Sequence, residues 1–583
     1  MNLKMKKITI YILFFTLLSS ILNAQVPVDE KNLEYVNKLT EKVHVFTDRD
    51  LYLTGEEAWF SVCLDINNAF TEFDLSKIVY LELFDASKKK YYKGKFEVIN
   101  GRAAGNFPIP DEMITGNYYI RAYTLYQRNF PPEYFTTKII TIINPESELP
   151  GAEQVADTKP MDHGEGDLFP LNSGHEFEIV VQADKPVYKR REPVEMKISL
   201  PGEFTEELVS MSVSVARKGT MHEPERFISS PSINSTGLKN GDTELFWVPE
   251  TRGISISGIV SEKNTMKPLG GLKVYLSVLG DKPQMHVSQT KANGSFIFSL
   301  SYLSGSHELF IGVEPNNYEE IQLFVNNDFS NDLTILKNIP HSIDTSYKSL
   351  IEEMLVNQQS QKFYTSNQET INDSIQKVIE VFGKPDVSVV LANFIDLPNL
   401  ETIFSELVST VMVRGKEGEK KLSTLNPETY RVFTNQLLLL DHVPVFNVDA
   451  ILSIPPSKIE KIEVINRTHY LGDNTLKSVV VMNTYAGDFA GYVFPEGSIF
   501  VEYTTITPAS EFEAQIYNNQ TVKNSRIPDF RTTLYWNPQI SISKKDTTIT
   551  FYTSDNTGYY DIVLRGVTKN GKACFGKGSL NIR

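Results

Sequence analysis

The chain has 583 residues, a length that indicates about four or five domains at roughly 100–200 residues each. Its formal net charge is −15, and an acidic surface repels phosphate backbones, which disfavours nucleic-acid binding. Apolar residues make up 41% of the sequence, enough to build packed cores, which excludes global disorder.

The N-terminal segment "MNLKMKKITIYILFFTLLSSILNAQ" combines Lys4, Lys6 and Lys7 with an apolar run over residues 8–22. This pattern predicts a signal peptide at residues 1–24, cut after Ala24, and therefore export. A retained anchor is the alternative, but about 15 apolar residues are short for a span of about 20. The apolar run is not followed by a Cys, so a lipid anchor is not indicated. We expect no transmembrane segment after cleavage.

Cys63 and Cys574 are the two cysteines of the sequence. Two thiols so far apart in a large exported protein do not make a disulfide scaffold. We expect two separate buried thiols, and the alternative is a bridge between the N- and C-terminal domains.

Apolar residues alternate with other residues on both sides of the stretch "TDRDLYLTGEE", where Gly55 is available for a turn. Short alternating strands separated by turn signals predict a β-sandwich at residues 25–145. Residues 146–173 are acidic and rich in Pro and Gly, which predicts a linker. His163, Glu165 and Asp167 within it could ligate a metal, but we expect them to be solvated and predict no metal site.

A second β-sandwich is predicted at residues 174–250, because its opening repeats the first. Asp184, Tyr188 and Glu192 correspond to Asp48, Tyr52 and Glu56. Both stretches resemble the macroglobulin-like β-sandwich of the alpha-2-macroglobulin family, with its aspartate-rich turn, Tyr and Gly-Glu pair. Arg191 replaces the Gly in the second copy, which questions its turn geometry. The thioester motif of that family is absent, which implies that covalent protease trapping is absent.

A third β-sandwich is predicted at residues 251–330. Asn293-Gly294 favours a hairpin turn, and Phe296 and Phe298 fall on one face of the following strand. Together with Gly258 and Val274, this pattern resembles the regulatory β-sandwich found beside carboxypeptidases and at the front of many Bacteroidetes outer-membrane receptors. The resemblance covers the regulatory module and no peptidase.

Residues 340–395 break the β periodicity. Leu350, Met354 and Leu355 recur at helical spacing, and the same spacing is found for Ile375, Val378 and Ile379. We predict one or two helices that end near Gly383.

The run "LLLLDHVP" at residues 437–444 contains four leucines followed by Asp441 and His442. Four leucines are too few for a membrane span, so the run predicts a buried strand. With the helix and strand of "NLETIFSELVSTVMVR" before it, a mixed α/β domain is predicted at residues 396–490.

This order of elements resembles the plug domain of TonB-dependent outer-membrane receptors. The matching stretches are "LDHVP" at 440–444, "IEKIEV" at 459–464, "YLG" at 470–472 and "VVVMNT" at 479–484. His442 stands where the plug signature has Gly. The receptor barrel has 22 strands and needs several hundred residues, so we expect that residues 491–583 instead form a C-terminal β domain.

The sequence contains none of the zinc-protease, hydrolase-elbow or P-loop motifs. Asp441 and His442 are the best-placed polar pair, and we expect a turn rather than a catalytic role. "GKEGEKK" at 415–421 predicts a charged hairpin turn. Tyr91, Tyr92, Tyr118 and Tyr119 could contact a partner or a glycan, but strand alternation predicts that one tyrosine of each adjacent pair faces a core, which favours a structural role. We expect no enzyme, and no catalytic, cofactor-binding or metal-binding residues.

The predicted fold class is mainly β and multidomain: tandem β-sandwiches (macroglobulin-like and carboxypeptidase-regulatory-like) with a small α/β plug-like domain and a helical segment. The combination resembles a family of Bacteroidetes envelope proteins. The resemblance implies a non-enzymatic protein, periplasmic or associated with the outer membrane. Its expected protein partners are a TonB-dependent receptor or another outer-membrane transport or assembly complex. The alternatives are a macroglobulin-like protease-interacting protein without thioester, with a bait segment at residues 153–167, and an enzyme of unknown type.

Overall fold

The described chain forms two compact units that are mainly β. Unit I comprises Val26–Gly253, Phe329–Asn372 and Ile506–Arg583, and unit II comprises Ile254–Asp328 and Asp373–Thr505. The computed structural model describes residues 26–27, 40–67, 76–147, 177–200, 209–222, 227–229, 244–280, 282–300, 303–315, 320–333, 347–365, 382–427, 429–434, 436–471, 474–542, 546–567 and 573–583.

The strands of the first half of the chain are short and separated by turns. They are β1 (Val26–Pro27), β2 (Thr40–Thr47), β3 (Leu51–Leu53), β4 (Glu57–Asn67), β5 (Ile78–Phe84), β6 (Lys90–Glu97), β7 (Arg102–Pro108), β8 (Gly116–Tyr123), β9 (Thr136–Ile143), β10 (Phe177–Ala183), β11 (Val187–Tyr188), β12 (Pro193–Ser199), β13 (Val209–Arg217), β14 (Phe227–Ser229), β15 (Glu244–Leu245), β16 (Ile254–Glu262), β17 (Lys273–Val278), β18 (Gln284–Gln289), β19 (Ser295–Leu300), β20 (Ser306–Val313) and β21 (Ile321–Val325).

The second half of the chain contains the described α-helices. They are α1 (Lys348–Thr365), α2 (Leu400–Glu406), α3 (Val448–Leu452) and α4 (Gln520–Lys523). The strands are β22 (Val387–Val390), β23 (Val411–Arg414), β24 (Lys421–Leu425), β25 (Val432–Phe433), β26 (Leu437–Leu440), β27 (Val443–Pro444), β28 (Ile459–Ile465), β29 (His469–Leu471), β30 (Asn474–Leu476), β31 (Val479–Thr484), β32 (Ser498–Thr504), β33 (Thr533–Ile542), β34 (Asp546–Tyr552), β35 (Gly558–Val567) and β36 (Ala573–Ile582).

The first sandwich of unit I packs a three-stranded sheet, β2-β4-β7, against a five-stranded sheet, β14-β9-β8-β5-β6. Strand β3 pairs in parallel with β9 beside this second sheet. Alternate residues of β7 face the core, as Ala103 and Phe107 do, which is the periodicity expected of a half-buried strand. Strand β14 joins this sheet although it lies beyond the segment 25–145 that the sequence assigned to the first domain.

The turn that opens the first sandwich is fixed by hydrogen bonds within the stretch predicted from sequence. Tyr52 Oη donates to Asp48 Oδ1 over 2.8 Å, and the Trp59 backbone N–H donates to the same oxygen over 3.0 Å. The Leu53 N–H donates to Glu56 Oε2 over 2.7 Å. The Asp, Tyr and Glu of the repeated pattern are therefore one hydrogen-bonded unit.

The second copy makes the same bonds at the same spacing. Tyr188 Oη donates to Asp184 Oδ1 over 2.6 Å, the Glu195 N–H donates to that oxygen over 2.9 Å, and the Lys189 N–H donates to Glu192 Oε2 over 2.6 Å. The internal repeat read from the sequence is thus present in the three-dimensional structure.

Arg191 keeps the backbone conformation of the glycine that it replaces. Its φ is 54°, against 75° for Gly55, so both residues lie in the left-handed region. The Arg191 guanidinium donates from Nε to Asp555 Oδ1 over 2.8 Å and from Nη1 to the Ser525 carbonyl over 2.7 Å. These bonds offset the cost of the left-handed conformation, so the turn survives the loss of glycine.

The second β domain of unit I combines segments that the sequence assigned to separate domains at 174–250 and 491–583. Its strands form one eight-stranded sheet, ordered β33-β13-β35-β36-β10-β12-β34, with β11 paired to β36. Strand β13 lies between β33 and β35, and both of these come more than three hundred residues later in the chain. The structure therefore divides this part of the chain differently, because the core of β10, β12 and β13 is closed by the C-terminal strands.

Unit II contains a sandwich of the sheets β19-β16-β21 and β18-β17-β20-β32. Phe296 and Phe298 both lie in its core, with ring centroids 5.5 Å apart, as the alternation predicted. The Asn293-Gly294 turn, with a φ of 76° at Gly294, links β18 in one sheet to β19 in the other rather than two paired strands. Strand β32 completes the sandwich from beyond the predicted boundary at residue 330.

The α/β domain of unit II carries a five-stranded sheet ordered β22-β28-β31-β26-β27 and a three-stranded sheet β23-β24-β25. Strands β26 and β31 are parallel, and all four leucines of β26 are buried, which confirms the predicted buried strand. Helices α2 and α3 start at Asn399 and Asn447, whose side chains each accept a backbone N–H of the first turn.

Helix α1 confirms the helical spacing at Leu350, Met354 and Leu355. Ile351 and Met354 pack on Leu51, Leu53 and Ile143 of the first sandwich. The second predicted run, around Ile375, lies outside the described residues. Among the helices that the structure describes, none has both the length and the apolarity needed to cross a membrane.

Cys63 and Cys574 are both buried and are not joined by a disulfide bond. Cys63 lies on β4 and Cys574 on β36. The two separate buried thiols expected from the sequence are confirmed.

Candidate functional site

Asp441 and His442 form the two-residue turn between β26 and β27. Their φ values of 47° and 67° place both in the left-handed region, which this type of hairpin turn requires. The conformation explains how His442 can stand at a position where Gly is usual, because Asp and His adopt it more readily than most residues. Burial lowers the pKa of His442.

The Asp441 carboxylate fixes the end of the α/β sheet. It accepts the Thr484 N–H and the Thr484 hydroxyl, each over 2.7 Å, and the Phe489 N–H over 3.0 Å. These three bonds connect the β26–β27 turn to the end of β31 and to the segment that follows. The geometry is that of the turn role that the sequence favoured.

Replacing Asp441 by Ala should destabilise unit II by about 2–3 kcal/mol, because the N–H groups of Thr484 and Phe489 and the Thr484 hydroxyl lose their carboxylate acceptor. Asp441→Asn keeps one acceptor oxygen and the preference for positive φ, so a smaller loss is expected. Hydrogen–deuterium exchange of peptides covering β26, β27 and β31 measures the effect. Unchanged exchange in Asp441→Ala would show that the carboxylate does not hold this turn.

A cavity of about 1090 Å³ opens beside the same domain. One wall is aromatic and consists of Phe446, Tyr492 and Phe494. The Phe494 ring lies 5.2 Å from Phe489 and 5.3 Å from Phe310, so it is held in a cluster of rings rather than projecting alone. Val493, between the two aromatic residues of the wall, is 86% exposed.

The opposite wall is the hairpin between β23 and β24. Arg414 and Lys421 are paired across it, and the predicted charged turn at 415–421 is confirmed. Asp449 on α3 accepts the N–H groups of Gly418 over 2.9 Å and Lys420 over 3.0 Å. This carboxylate ties the hairpin tip to the helix, so both walls of the cavity are attached to the same domain.

The electrostatic character of the hairpin is positive. Its sequence "RGKEGEKK" at 414–421 carries four basic and two acidic residues in a chain of net charge −15. An ion pair with Glu401, with Nζ 2.6 Å from the carboxylate, raises the pKa of Lys420. Arg414 and Lys421 are both exposed. The cavity thus combines an ordered aromatic wall with a cationic rim.

This arrangement is suited to binding. Ordered aromatic rings offer apolar contact area at low entropic cost, and exposed cations steer acidic groups. Sequence reasoning identified the hairpin but missed Phe446, Tyr492 and Phe494. The signal that could have found them is "GYVFPEG" at 491–497, where bulky apolar residues occur in a stretch without strand or helix periodicity.

The remaining residues that the sequence singled out are four tyrosines and two segments in the N-terminal half. Strand alternation predicted one tyrosine of each pair in a core, but both members of each pair are packed: Tyr118 and Tyr119 are buried, and Tyr91 and Tyr92 pack on the core of the first sandwich. The Tyr91 and Tyr118 rings lie 5.6 Å apart. Residues 1–24, residues 153–167 and the group His163, Glu165 and Asp167 lie outside the described residues. Over the described ranges, no group of three or more His, Cys, Asp or Glu side chains could hold a metal.

Fold and site define a multidomain, mainly β protein with an aromatic and cationic cavity. No protein-family model and no curated protein matches the chain. Among solved structures, it is similar to native Escherichia coli alpha-2-macroglobulin, with TM-score 0.23, 9% identity, and coverage of 97% of this chain and 40% of that one. Salmonella alpha-2-macroglobulin reacted with methylamine gives TM-score 0.22, 10% identity and coverage of 96% and 40%.

Dimeric latent PorU from Porphyromonas gingivalis aligns with TM-score 0.15 and 10% identity, over 50% of this chain and 33% of that one. The chain spans about two fifths of the length of the alpha-2-macroglobulin chains it matches.

Proposed function

We propose that the protein is a non-enzymatic, exported envelope protein that binds a partner protein through the cavity of the α/β domain. The observation that carries the proposal is the aromatic wall of Phe446, Tyr492 and Phe494 facing the cationic hairpin at 414–421. The signal peptide predicted at residues 1–24 and the plug-like order of elements support a place at the periplasmic face of the outer membrane. The partner there is a TonB-dependent receptor or another outer-membrane complex.

Charge complementarity determines the chemistry of the partner segment. The cavity lining carries three basic residues, Arg414, Lys420 and Lys421, against two acidic residues, Glu419 and Asp449, which leaves one net positive charge. Arg414 and Lys421 are its exposed cations. A segment that carries acidic residues beside an aromatic or aliphatic side chain satisfies both walls. The regulatory-like sandwich and the plug-like domain are, in this proposal, the scaffold that presents the cavity.

Non-enzymatic action is also part of the proposal. The one polar pair that sequence reasoning placed at a strand end is used structurally, since Asp441 accepts three hydrogen bonds within its own domain. A carboxylate occupied in this way is poorly placed to act as a base.

A photoreactive residue at position 493 tests the proposal in native envelopes. Val493 lies on the aromatic wall and is 86% exposed, and Tyr470, at 74% exposed, gives a control position on the same unit. We expect a discrete covalent adduct from position 493 and none from position 470. Equal labelling from both positions, or no adduct from either, would contradict a docking role for the cavity.

Charge reversal supplies the matching mutational prediction. Arg414→Glu combined with Lys421→Glu should weaken capture of the adduct partner by at least about tenfold, because like charges then face an acidic segment. Lys416→Glu is the matched control, since Lys416 lies on the same hairpin but does not line the cavity. A pull-down with quantitative mass spectrometry measures both. An equal loss in the control would show that only the overall charge of the hairpin matters.

A further inference from the structure

Unit I holds a separate cavity of about 340 Å³, bounded by the turn before β4, by α1 and by the segment 512–533. This volume lies at the lower end of the range of small-ligand pockets. The cavity is not part of the site described above, and the function proposed there does not use it.

Three acidic residues line this cavity: Glu57 is exposed and accepts from Asn106 Nδ2 over 2.9 Å, and Asp48 and Glu56 are engaged more fully. Asp48 accepts hydrogen bonds from Tyr52, from the Trp59 N–H and from the Thr533 hydroxyl, the last over 2.7 Å. Glu56 accepts from Arg49 Nη1 over 3.1 Å and from the Leu53 N–H. These carboxylates therefore have little capacity left for a cationic ligand.

Among the basic residues of the lining, Arg49 is paired with Asp48 and Glu56, but Arg531 is not saturated to the same degree. Arg531 has a side chain that is 13% exposed, and its Nη2 donates to the Tyr552 carbonyl over 2.8 Å. Its Nε lies 3.3 Å from Asp529, yet Nε and Nη1 are buried and make no hydrogen bond within the described part of the chain. A buried N–H without an acceptor is costly, so an oxygen acceptor in the cavity would be stabilised there.

Lys362 adds a second positive group at the wall formed by α1. Its Nζ approaches Gly55 so closely that a methyl group on the Gly55 Cα would lie 3.0 Å away. Arg531 and Lys362 line the same cavity, so a ligand carboxylate in it is attracted by two positive charges.

The remaining lining is of the kind that holds a sugar ring. Trp59 and Phe512 stand edge to face with ring centroids 5.4 Å apart. Asn357 and Gln358 present side-chain amides from α1, and Gln358 Nε2 already donates to the Thr54 carbonyl over 2.7 Å. Aromatic rings contact the apolar C–H face of a sugar, and amides both donate to and accept from its hydroxyl groups.

We propose that this cavity binds a carboxylated sugar. The ring lies against Trp59 and Phe512, and the carboxylate pairs with the guanidinium of Arg531 and the ammonium of Lys362. The size of the cavity limits the occupant to one or two rings of a longer glycan.

Calorimetric titration of the full chain with glucuronic acid, glucose and acetate separates the two parts of the proposal. We expect glucuronic acid to bind at least about tenfold more tightly than either of the others, because each of those supplies half of the interactions. Acetate binding as tightly as glucuronic acid would overturn the sugar, and glucose binding as tightly would overturn the carboxylate. No binding of glucuronic acid at millimolar concentration would overturn the site.

Two variants locate the binding. Arg531→Gln and Lys362→Gln should each weaken glucuronic acid binding by about tenfold. Lys362 is exposed on α1, so its replacement leaves the fold intact, and an unchanged unfolding midpoint confirms that for either variant. Arg526→Gln is the matched control, since Arg526 is exposed in the same segment and does not line the cavity. Unchanged affinity in both lining variants would overturn the assignment.

Discussion

Replacing Asp50 by Asn, or Lys138 by Met, will destabilise unit I by about 3–5 kcal/mol, since each change leaves one member of a buried ion pair without its partner. The two side chains are 0% exposed, and Lys138 Nζ lies 2.8 Å from Asp50 Oδ1. Asp50 also accepts a hydrogen bond from the His222 backbone N–H over 2.8 Å. Burial alone would raise the pKa of Asp50, but the charges of Lys138 and Arg565 lower it well below its usual range.

The double variant, Asp50→Asn with Lys138→Met, measures the interaction between these two side chains apart from their contacts with other residues. With both charges removed, the loss should be at least about 2 kcal/mol smaller than the sum of the two single losses. Urea unfolding followed by tryptophan fluorescence measures it, because all three tryptophans, Trp59, Trp247 and Trp536, belong to unit I.

The matched control is an exposed ion pair on the second β domain of unit I. Lys197 and Asp546 lie 3.1 Å apart with side chains 56% and 46% exposed. Lys197→Met should cost under about 1 kcal/mol, because water screens the pair. Strictly additive losses at Asp50 and Lys138, or a Lys197 effect of the same size, would contradict the account of burial.

Local patterns were enough to predict the individual elements. Strand β26 follows from four consecutive leucines, and α1 follows from Leu350, Met354 and Leu355, because burial on one face imposes a period on the sequence itself. The repeated Asp-Tyr-Glu turn was also predictable, since the hydrogen bonds repeated in both copies run between residues at most eleven apart.

Pairing between distant strands was not predictable in this way. Strand β32 pairs with β20 across the whole α/β domain, and β13 is enclosed by C-terminal strands. The alternation within β32 indicates a half-buried strand, but this pattern does not identify the strand with which β32 pairs. The domain boundaries predicted at residues 250, 330 and 490 therefore divide the chain into consecutive segments, whereas the sheets combine strands from separate segments.

The same difference between local and long-range signals applies to the residues that line the candidate cavity. Its hairpin was predicted because Gly415 and Gly418 lie between charged residues, a local turn signal. Phe446, Tyr492 and Phe494 come from loops, where apolar residues have no period, so their convergence depends on the tertiary fold. The unsatisfied Arg531 Nη1 in the second cavity is likewise a property of burial that the sequence does not display.

Two buried groups on β2 should oppose each other as the pH changes. Burial raises the pKa of Glu41 from 4.5 to about 7, against hydrogen bonds from Thr124 and Ser76 that favour the charged form. Burial and the charges of Lys42 and Arg102 lower the pKa of His44 from 6.5 to about 4. Between pH 4.5 and 6.5, the folded state thus keeps Glu41 protonated and His44 neutral, whereas the unfolded state does the reverse.

The signs follow from proton linkage. Stability from Glu41 is complete below pH 4.5 and is lost as the pH rises towards 7, whereas stability from His44 is complete above pH 6.5 and is lost as the pH falls towards 4. Each group contributes about 1.4 kcal/mol per pH unit with opposite sign, so the two slopes cancel in the native sequence between pH 4.5 and 6.5.

Glu41→Gln should therefore make unit I more stable as the pH rises, by about 2.7 kcal/mol relative to the native chain from pH 4.5 to 6.5. His44→Gln should make it less stable by a similar amount over the same interval, and the double variant should run parallel to the native chain. Urea unfolding followed by tryptophan fluorescence at several pH values gives these differences in the free energy of unfolding. The contributions of all other titrating groups are the same in each chain and cancel. Slopes of the same sign in the two single variants would mean that one of these side chains does not titrate as its burial requires, and the double variant would then depart from the native curve.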